Sequence, residues 1–284
     1  MRAYVPEYDL VVPASLNEAL RLVADQVRPM AGGTDLMVLF EAGKLPYRKL
    51  VSLWRIQELR GIATSETHVT LGALTTYTEI QQSAIMQREF ALLVKAASWT
   101  GAVATQNRGT LAGNIANASP AADSPPALLA YDAEIELLSA TGARWVSYDG
   151  FHTGYKTSVM RSDEIIGHIR LPRTTAGCPQ YLRKVGTRRA QAIAKVALAG
   201  LAKTSGGMVE RIRIALASVA PMPIRCAQTE DILAGRKLDR AVIEEAKAKI
   251  ALEIAPISDI RSTQDYRRRV TVNVLQEFLE TLLA

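Results

Sequence analysis

Apolar residues recur along the chain with two different periods, and the switches between them mark out its elements. Leu16, Ala19, Leu20, Val23 and Ala24 follow helical spacing. Ahead of them, Ser15-Leu16-Asn17-Glu18 fits a capping box, with a hydroxyl and a carboxylate placed to satisfy free amides of the first turn. Arg28-Pro29-Met30 leads into a glycine loop, and Leu36 to Ala42 reads as a helix that Gly43 terminates. Lys49 to Leu53 and His68 to Leu71 have the composition of strands, so residues 1 to about 55 predict a small β/α unit.

Ala91 to Ser98 predicts a second helix, followed by Thr100 to Pro126, a stretch rich in Gly, Ala, Asn, Ser and Pro that reads as one long loop. Ala133 to Leu138, a Thr141-Gly142 turn and Trp145 to Tyr148 read as a hairpin, and Ile165 to Leu171 as a further strand. Thr174 to Pro179 has the composition of a boundary. Beyond it, Ala192 to Lys203 and Val209 to Val219 flank Ser205-Gly206-Gly207, and Arg211 to Leu216 alternates polar with apolar. Val270, Val274, Phe278 and Leu282 recur every fourth residue near the end, the stripe of a core-facing helix. The pattern predicts an α+β protein in two parts, 1–175 and 176–284, the first divided into lobes of roughly 1–55 and 56–175.

Composition narrows the classes. The 284 residues are 48% hydrophobic and 22% charged, as in a soluble globular protein, and no apolar run nears the roughly 20 residues of a membrane-spanning helix. The first residues carry Glu7 and Asp9 and have no long apolar core, so they do not read as a secretory signal and the expected location is the cytoplasm. The net charge of +6 is spread along the chain and aromatics are only 6%, which points away from a nucleic-acid groove and towards a phosphate-bearing ligand or an acidic partner. Two isolated cysteines, Cys178 and Cys226, and three scattered histidines offer no metal-ligand set.

Two loops carry candidate chemistry. In Met30-Ala31-Gly32-Gly33-Thr34-Asp35-Leu36, adjacent glycines let backbone amides approach a ligand without an intervening Cβ. At the start of a helix such amides favour an anion, although a glycine turn capped by Thr34 or Asp35 is the plainer reading. The second loop runs from Asn107 to Pro126; Thr110, Asn114 and Ser119 offer polar groups, and Gly109 and Gly113 offer close approach. Asp123, just ahead of Pro125-Pro126, is placed to cap a helix through Leu128 and Leu129, or to accept from a ribose or ribityl hydroxyl. Neither loop is a P-loop or a GxGxxG fingerprint; together they suit an extended, pyrophosphate-bearing cofactor.

AGGTDL (31–36) and RGTLAGNIANASPAADSPPALLA (108–130) closely resemble the FAD subunit of the xanthine dehydrogenase and carbon monoxide dehydrogenase family of molybdenum hydroxylases. The resemblance continues through GFHTGY (150–155), DEIIGHIRLP (163–172), RKVGTRRAQAIAKV (183–196) and VAPMPIRC (219–226), and so spans nearly the whole chain. GFHTGY and APMPIRC look most like bacterial xanthine dehydrogenase FAD subunits. The resemblance implies a two-lobed FAD-binding domain of the vanillyl-alcohol oxidase type, followed by a sheet-plus-helices domain. It implies that Ala31, Gly32, Gly33, Thr34, Asp35 and Leu36 hold the FAD pyrophosphate with Met30 beside them as a cofactor-binding residue, and that Thr110, Gly113 and Asn114 form a second cradle. It also implies that Asp123 binds a cofactor hydroxyl, that Ile166 packs near the cofactor rings, and that Lys184 lies near the isoalloxazine. No side chain of this chain is implied as an acid, base or nucleophile. A large subunit with molybdopterin and a small subunit with two [2Fe–2S] clusters are the implied partners, in a dimer of heterotrimers. The substrate hydroxylated elsewhere in the complex is a purine, an aromatic heterocycle or a thioester-linked aromatic, a purine first among them, and the acceptor is NAD, oxygen or a quinone.

The chain departs from the family pattern twice. Ala112 stands where glycine is usual, which predicts a loop set slightly farther from the phosphates. Ala190-Gln191-Ala192 stands where relatives often have an acidic residue beside the flavin. Two rival readings remain at this level: a stand-alone flavin oxidase, which would often tether its flavin through His or Cys, and an assembly or binding protein that keeps the fold without the cofactor.

Overall fold

The computed structural model describes residues 7–188 and 191–283. The first lobe comprises β1 (Asp9–Val11), α1 (Leu16–Ala24), β2 (Arg28–Met30), α2 (Leu36–Glu41) and β3 (Lys49–Ser52), with its strands parallel in the order β1-β3-β2. α1 buries Ala19, Leu20 and Val23, the stripe its sequence predicts. Only half of the expected capping box forms there: Ser15 Oγ accepts from the Glu18 amide at 3.2 Å, but the Glu18 carboxylate reaches the Ala14 amide at 2.7 Å, one residue too far back.

The second sheet is antiparallel, in the order β4-β5-β10-β6-β7. It comprises β4 (Ile62–Thr64), β5 (His68–Gly72), β6 (Glu134–Ser139), β7 (Gly142–Ser147) and, after the small hairpin of β8 (His152–Gly154) and β9 (Thr157–Ser158), β10 (Ile165–Pro172). Six helices intervene between β5 and β6: α3 (Tyr77–Gln82), α4 (Ala84–Glu89), α5 (Ala91–Trp99), α6 (Val103–Gln106), α7 (Leu111–Asn117) and α8 (Pro125–Ala130). The stretch expected as a single long loop therefore contains α6, α7 and the start of α8. Its composition is poor for helix, but Thr110 Oγ caps α7 by accepting from the Gly113 amide at 3.1 Å, and burial of Leu111, Ala112 and Ile115 supplies what propensity does not. Asp123 is not the cap of α8. Ser124 occupies that position, the two prolines fill the first turn, and the Asp123 carboxylate turns away to meet Lys184.

The C-terminal part begins with a four-stranded antiparallel sheet in sequence order: β11 (Gln180–Val185), β12 (Val196–Ser205), β13 (Met208–Ala217) and β14 (Ile224–Arg225). Three helices follow, α9 (Ala227–Leu233), α10 (Arg240–Glu253) and α11 (Gln264–Glu280). One face of this sheet packs on α5 and α8, so that Leu182, Ala199, Leu201 and Ala215 join the core of the first part. The other face carries Val196, Leu198, Ile212 and Ile214 into a second core with Val274, Phe278 and Leu279 of α11. Val270 and Leu282 pack at its edge, completing the predicted stripe. Gly200 makes room for the ring of Phe278: a Cβ there would lie 2.5 Å from the ring.

An ionic clasp spans the seam between the two parts. Asp132, just after α8, accepts from Arg211 Nη2 (2.6 Å), Arg213 Nε (3.1 Å) and Arg225 Nη1 (2.6 Å). Behind it, Glu230 accepts two bonds from Arg225 at 2.7 Å and one from the Ile214 amide at 2.8 Å. Among the described residues no helix is long and apolar enough to cross a membrane.

Candidate cofactor site

The two glycine loops converge on one cleft of about 340 Å³, walled by both sheets of the first part. The first loop leaves β2 as β2 leaves the sheet: Met30 O accepts from the Leu53 amide at 2.9 Å, the last tie before the chain turns. Gly33 then takes φ +77°, a left-handed conformation that favours glycine. Gly32 has a different reason to be glycine. A Cβ on it would sit 1.8 Å from Arg108 O, so the two loops touch backbone to backbone. Among the described residues, the amides of Gly32, Gly33, Thr34 and Asp35 donate to no protein acceptor. Four free donors at the edge of a cleft are what a pyrophosphate requires.

Ala31, Gly32, Gly33, Thr34, Asp35 and Leu36 line the cleft, and so do Thr110, Gly113, Asn114 and Ile166. Met30 does not; it ends the strand that launches the loop. Asp35 does not cap α2 with its side chain. Its Oδ1 accepts from Asn117 Nδ2 at 3.2 Å, and Asn117 Oδ1 in turn accepts from Lys156 Nζ at 3.4 Å, so the GFHTGY hairpin reaches the rim of the cleft. Ala112 also lines the cleft, in the first turn of α7. Ala190 lies outside the described residues; Gln191 has φ +53° in the turn between β11 and β12.

Asp123 and Lys184 stand apart from the cleft wall, at the seam between the second loop and β11. They form a buried pair, Nζ to Oδ2 2.7 Å, and Asp123 Oδ1 has no partner. Burial raises the Asp123 carboxyl above its ordinary range, and the charge and hydrogen bond of Lys184 oppose that rise. Sequence reasoning missed Tyr77, Leu53, Met160, Glu164 and Ile165, all of which line the cleft. The Tyr77 hydroxyl is fully buried without a hydrogen-bond partner, and burial raises its pKa. Asn114 Oδ1, which also lines the cleft, is likewise buried and unpartnered, whereas Ser124 Oγ lies outside the lining, beside the Tyr77 hydroxyl. Native interiors leave few such groups unsatisfied, so their concentration here marks a place for a polar ligand. Glu164 is not free: Arg144 grips its carboxylate at 2.7 and 2.9 Å, and this bond more than any other cause holds its pKa down to about 2. No histidine or cysteine is among the described residues lining the cleft.

The fold and the cleft define a class of protein with free backbone amides and room for an extended, phosphate-bearing cofactor between two sheets. Residues 6–174 match the family model described as the FAD binding domain in molybdopterin dehydrogenase, and residues 181–282 match the CO dehydrogenase flavoprotein C-terminal domain. The chain is 34% identical to the glyceraldehyde dehydrogenase medium chain of Sulfolobus acidocaldarius, over 94% of this chain and 95% of that one. It is 30% identical to the xanthine dehydrogenase FAD-binding subunit of Escherichia coli O157:H7, covering 95% and 94%. Among solved structures, it superposes on a chain of carbon monoxide dehydrogenase from Hydrogenophaga pseudoflava with a TM-score of 0.92, at 29% identity and 96% coverage of both. The chain belongs to the FAD-binding medium subunits of the molybdenum hydroxylases of xanthine and carbon monoxide dehydrogenase type. It is an oxidoreductase subunit that works as part of a complex.

Proposed function

We propose that this chain is the electron-transfer subunit of a purine-hydroxylating dehydrogenase. In this reading it takes electrons from the [2Fe–2S] clusters of a small partner subunit and delivers them to NAD, while a large molybdopterin subunit transforms the purine. The complex is a cytoplasmic dimer of heterotrimers. The observation that carries the assignment of the cleft is the convergence of two glycine loops, with free amides and unpartnered polar atoms, on one cavity. Bound there, FAD supplies both one-electron and two-electron redox chemistry.

The amides of Gly32 to Asp35 donate to the pyrophosphate, with Met30, Ala31 and Leu36 setting the path of the loop. Thr110 keeps its hydroxyl oxygen on the Gly113 amide, which fixes the second cradle of Thr110, Gly113 and Asn114. Asn114 Oδ1 accepts from a cofactor group in the cleft, and Asp123, behind Tyr77 and outside the lining, is the acceptor for a cofactor hydroxyl that reaches past that wall, its carboxylate aimed by Lys184. Ile166, held on β10 beside the bulge at Gly167, gives an apolar wall for a ring. With no histidine or cysteine in that wall, the flavin is held without a covalent tether, so acid precipitation releases the yellow colour.

The purified chain should take up FAD and show an absorbance band near about 450 nm. A folded chain that stays colourless after FAD addition refutes the assignment of the cleft. For the substrate, the likeness of GFHTGY and APMPIRC to xanthine dehydrogenase subunits favours a purine. The native complex should contain molybdenum, iron and FAD and oxidise xanthine with NAD. Glyceraldehyde is the second substrate to assay, given the 34% identical relative; turnover of it without turnover of xanthine overturns the purine reading.

A further inference from the structure

Trp54 lies in the turn that follows β3, immediately after Leu53, whose amide holds Met30 O at the root of the first loop. Its indole is in cation–π contact with two guanidiniums. Arg108 Cζ lies 3.8 Å from the ring centroid and Arg60 Cζ 4.7 Å from it. Arg60 also donates from Nη2 to the Trp54 carbonyl, which fixes the turn that carries the ring. Among the described residues neither arginine has a carboxylate within salt-bridge distance, so the stacking on Trp54 is what orders them. Arg108 is also the residue whose carbonyl oxygen meets Gly32 backbone to backbone. The same residue thus touches the first loop with its main chain and is clamped by its side chain to the strand that anchors that loop.

We propose that Trp54 is a positioning residue for the cofactor: by clamping Arg108 it sets the spacing between the two glycine loops, an inference that rests on reading the cleft as the FAD site. An exposed arginine has many rotamers, and holding it flat on an aromatic face removes that freedom before the cofactor arrives. Arg60, also stacked on the ring and bonded to the Trp54 carbonyl, keeps the indole from swinging out. The two guanidiniums, drawn together around one ring and without acidic partners, also leave positive charge beside the loop whose amides await phosphates.

The test is FAD binding to the full chain measured by isothermal titration calorimetry. Trp54→Leu keeps an apolar side chain but loses the aromatic face and should weaken FAD about tenfold, whereas Trp54→Phe, which keeps that face, should stay within about threefold of wild type. Arg108→Lys is a surface change that does not threaten folding; it keeps the charge but loses the planar stack, and should also weaken FAD about tenfold. Wild-type affinity in either Trp54→Leu or Arg108→Lys overturns the proposal, and so does an equal loss in Trp54→Leu and Trp54→Phe. Gly33→Val separates this from the underlying reading. If Gly33→Val loses FAD while Trp54→Leu keeps it, only the clamp fails; if Gly33→Val keeps FAD, the assignment of the cleft fails with it.

Discussion

Gly32→Ala adds one methyl group at the tightest point of the site. The new Cβ would lie 1.8 Å from Arg108 O and 2.7 Å from Arg108 C, where real contacts do not fall below 3.0 Å. Both neighbours are backbone, so no side chain can rotate away, and the two loops must part by about 1 Å or more, an overpacking that costs about 1–3 kcal/mol of stability. The effect on the cofactor is larger in proportion. Amide bonds to a charged phosphate contribute about 1.5–3 kcal/mol each, and an ångström of displacement forfeits one or two of them before water recovers a part. A net loss of about 2.7 kcal/mol corresponds to roughly 100-fold weaker FAD. Calorimetric titration gives the affinity and thermal unfolding of the FAD-free chain gives the stability. Gly33→Asn is the control: its Cβ would meet nothing nearer than Met30 Sδ at 3.5 Å, and asparagine tolerates φ +77°, so FAD affinity should stay within about fivefold of wild type. A Gly32→Ala chain that binds FAD within about threefold of wild type would refute the reasoning that the loop contact sets the cradle.

Glu230→Ala strips the Ile214 amide and Arg225 of their acceptor at a site where the glutamate is almost fully buried, and should cost about 3–4 kcal/mol in denaturant unfolding; Glu230→Gln should recover about half of that, and a cost below about 1 kcal/mol for the alanine would count against the clasp. Glu164 titrates from 4.5 in the unfolded chain to about 2 in the fold, so its contribution is present above 4.5 and lost as pH falls towards 2; Glu164→Gln should flatten the stability curve in that window, and an unchanged acid limb would refute the assignment. Asp123 has the opposite sign: its folded pKa lies above 3.8, so the stability associated with it is present at low pH and lost as pH rises through the folded value. Lys184→Met removes the opposing charge and should steepen that loss, Asp123→Asn should abolish it, and parallel curves for Lys184→Met and wild type would sink the pairing.

Much of this was legible in the residues, for physical reasons that differ by element. The period of two across Arg211 to Leu216 survives because β13 is covered on both faces by apolar neighbours yet carries its arginines to the seam. The stripe on α11 survives because one long helix packs on one sheet face. The short helices α3 and α4 were missed since six residues give less than two full turns of pattern, and their one clear signal, the Thr76–Glu79 capping box, lies in a stretch with no apolar stripe to follow it. α6 and α7 hide behind a composition that usually means loop. Asp123 misled because a carboxylate before Pro-Pro satisfies the local rule for a cap, while its actual partner, Lys184, comes from a strand 61 residues away. Tyr77 and Trp54 carry no local signal at all; each matters only through residues brought to it by the fold.

With Asp123 in its proposed role, the long-range pairs tie a cofactor site in the first part to the second. Asp123 is aimed by Lys184, and Lys184 is delivered by β11, which docks on α5. Polar ties accompany the burial of Leu182 in that docking: Lys95 Nζ donates to Leu182 O at 2.9 Å, and Gln180 accepts from the Tyr131 hydroxyl at 2.5 Å while donating to Glu89 O at 3.0 Å. Register matters here because a one-residue slip against β12 would turn Lys184 to the other face of the strand. The six-residue pairing with β12 fixes the register, the Gln180 and Lys95 bonds fasten the strand to α5, and the Asp132 clasp fixes the far end of the same sheet, so that the Lys184 amine arrives at Asp123 already placed. The proposed role of Asp123 therefore predicts that weakening the seam loosens FAD even where no residue of the cleft is touched.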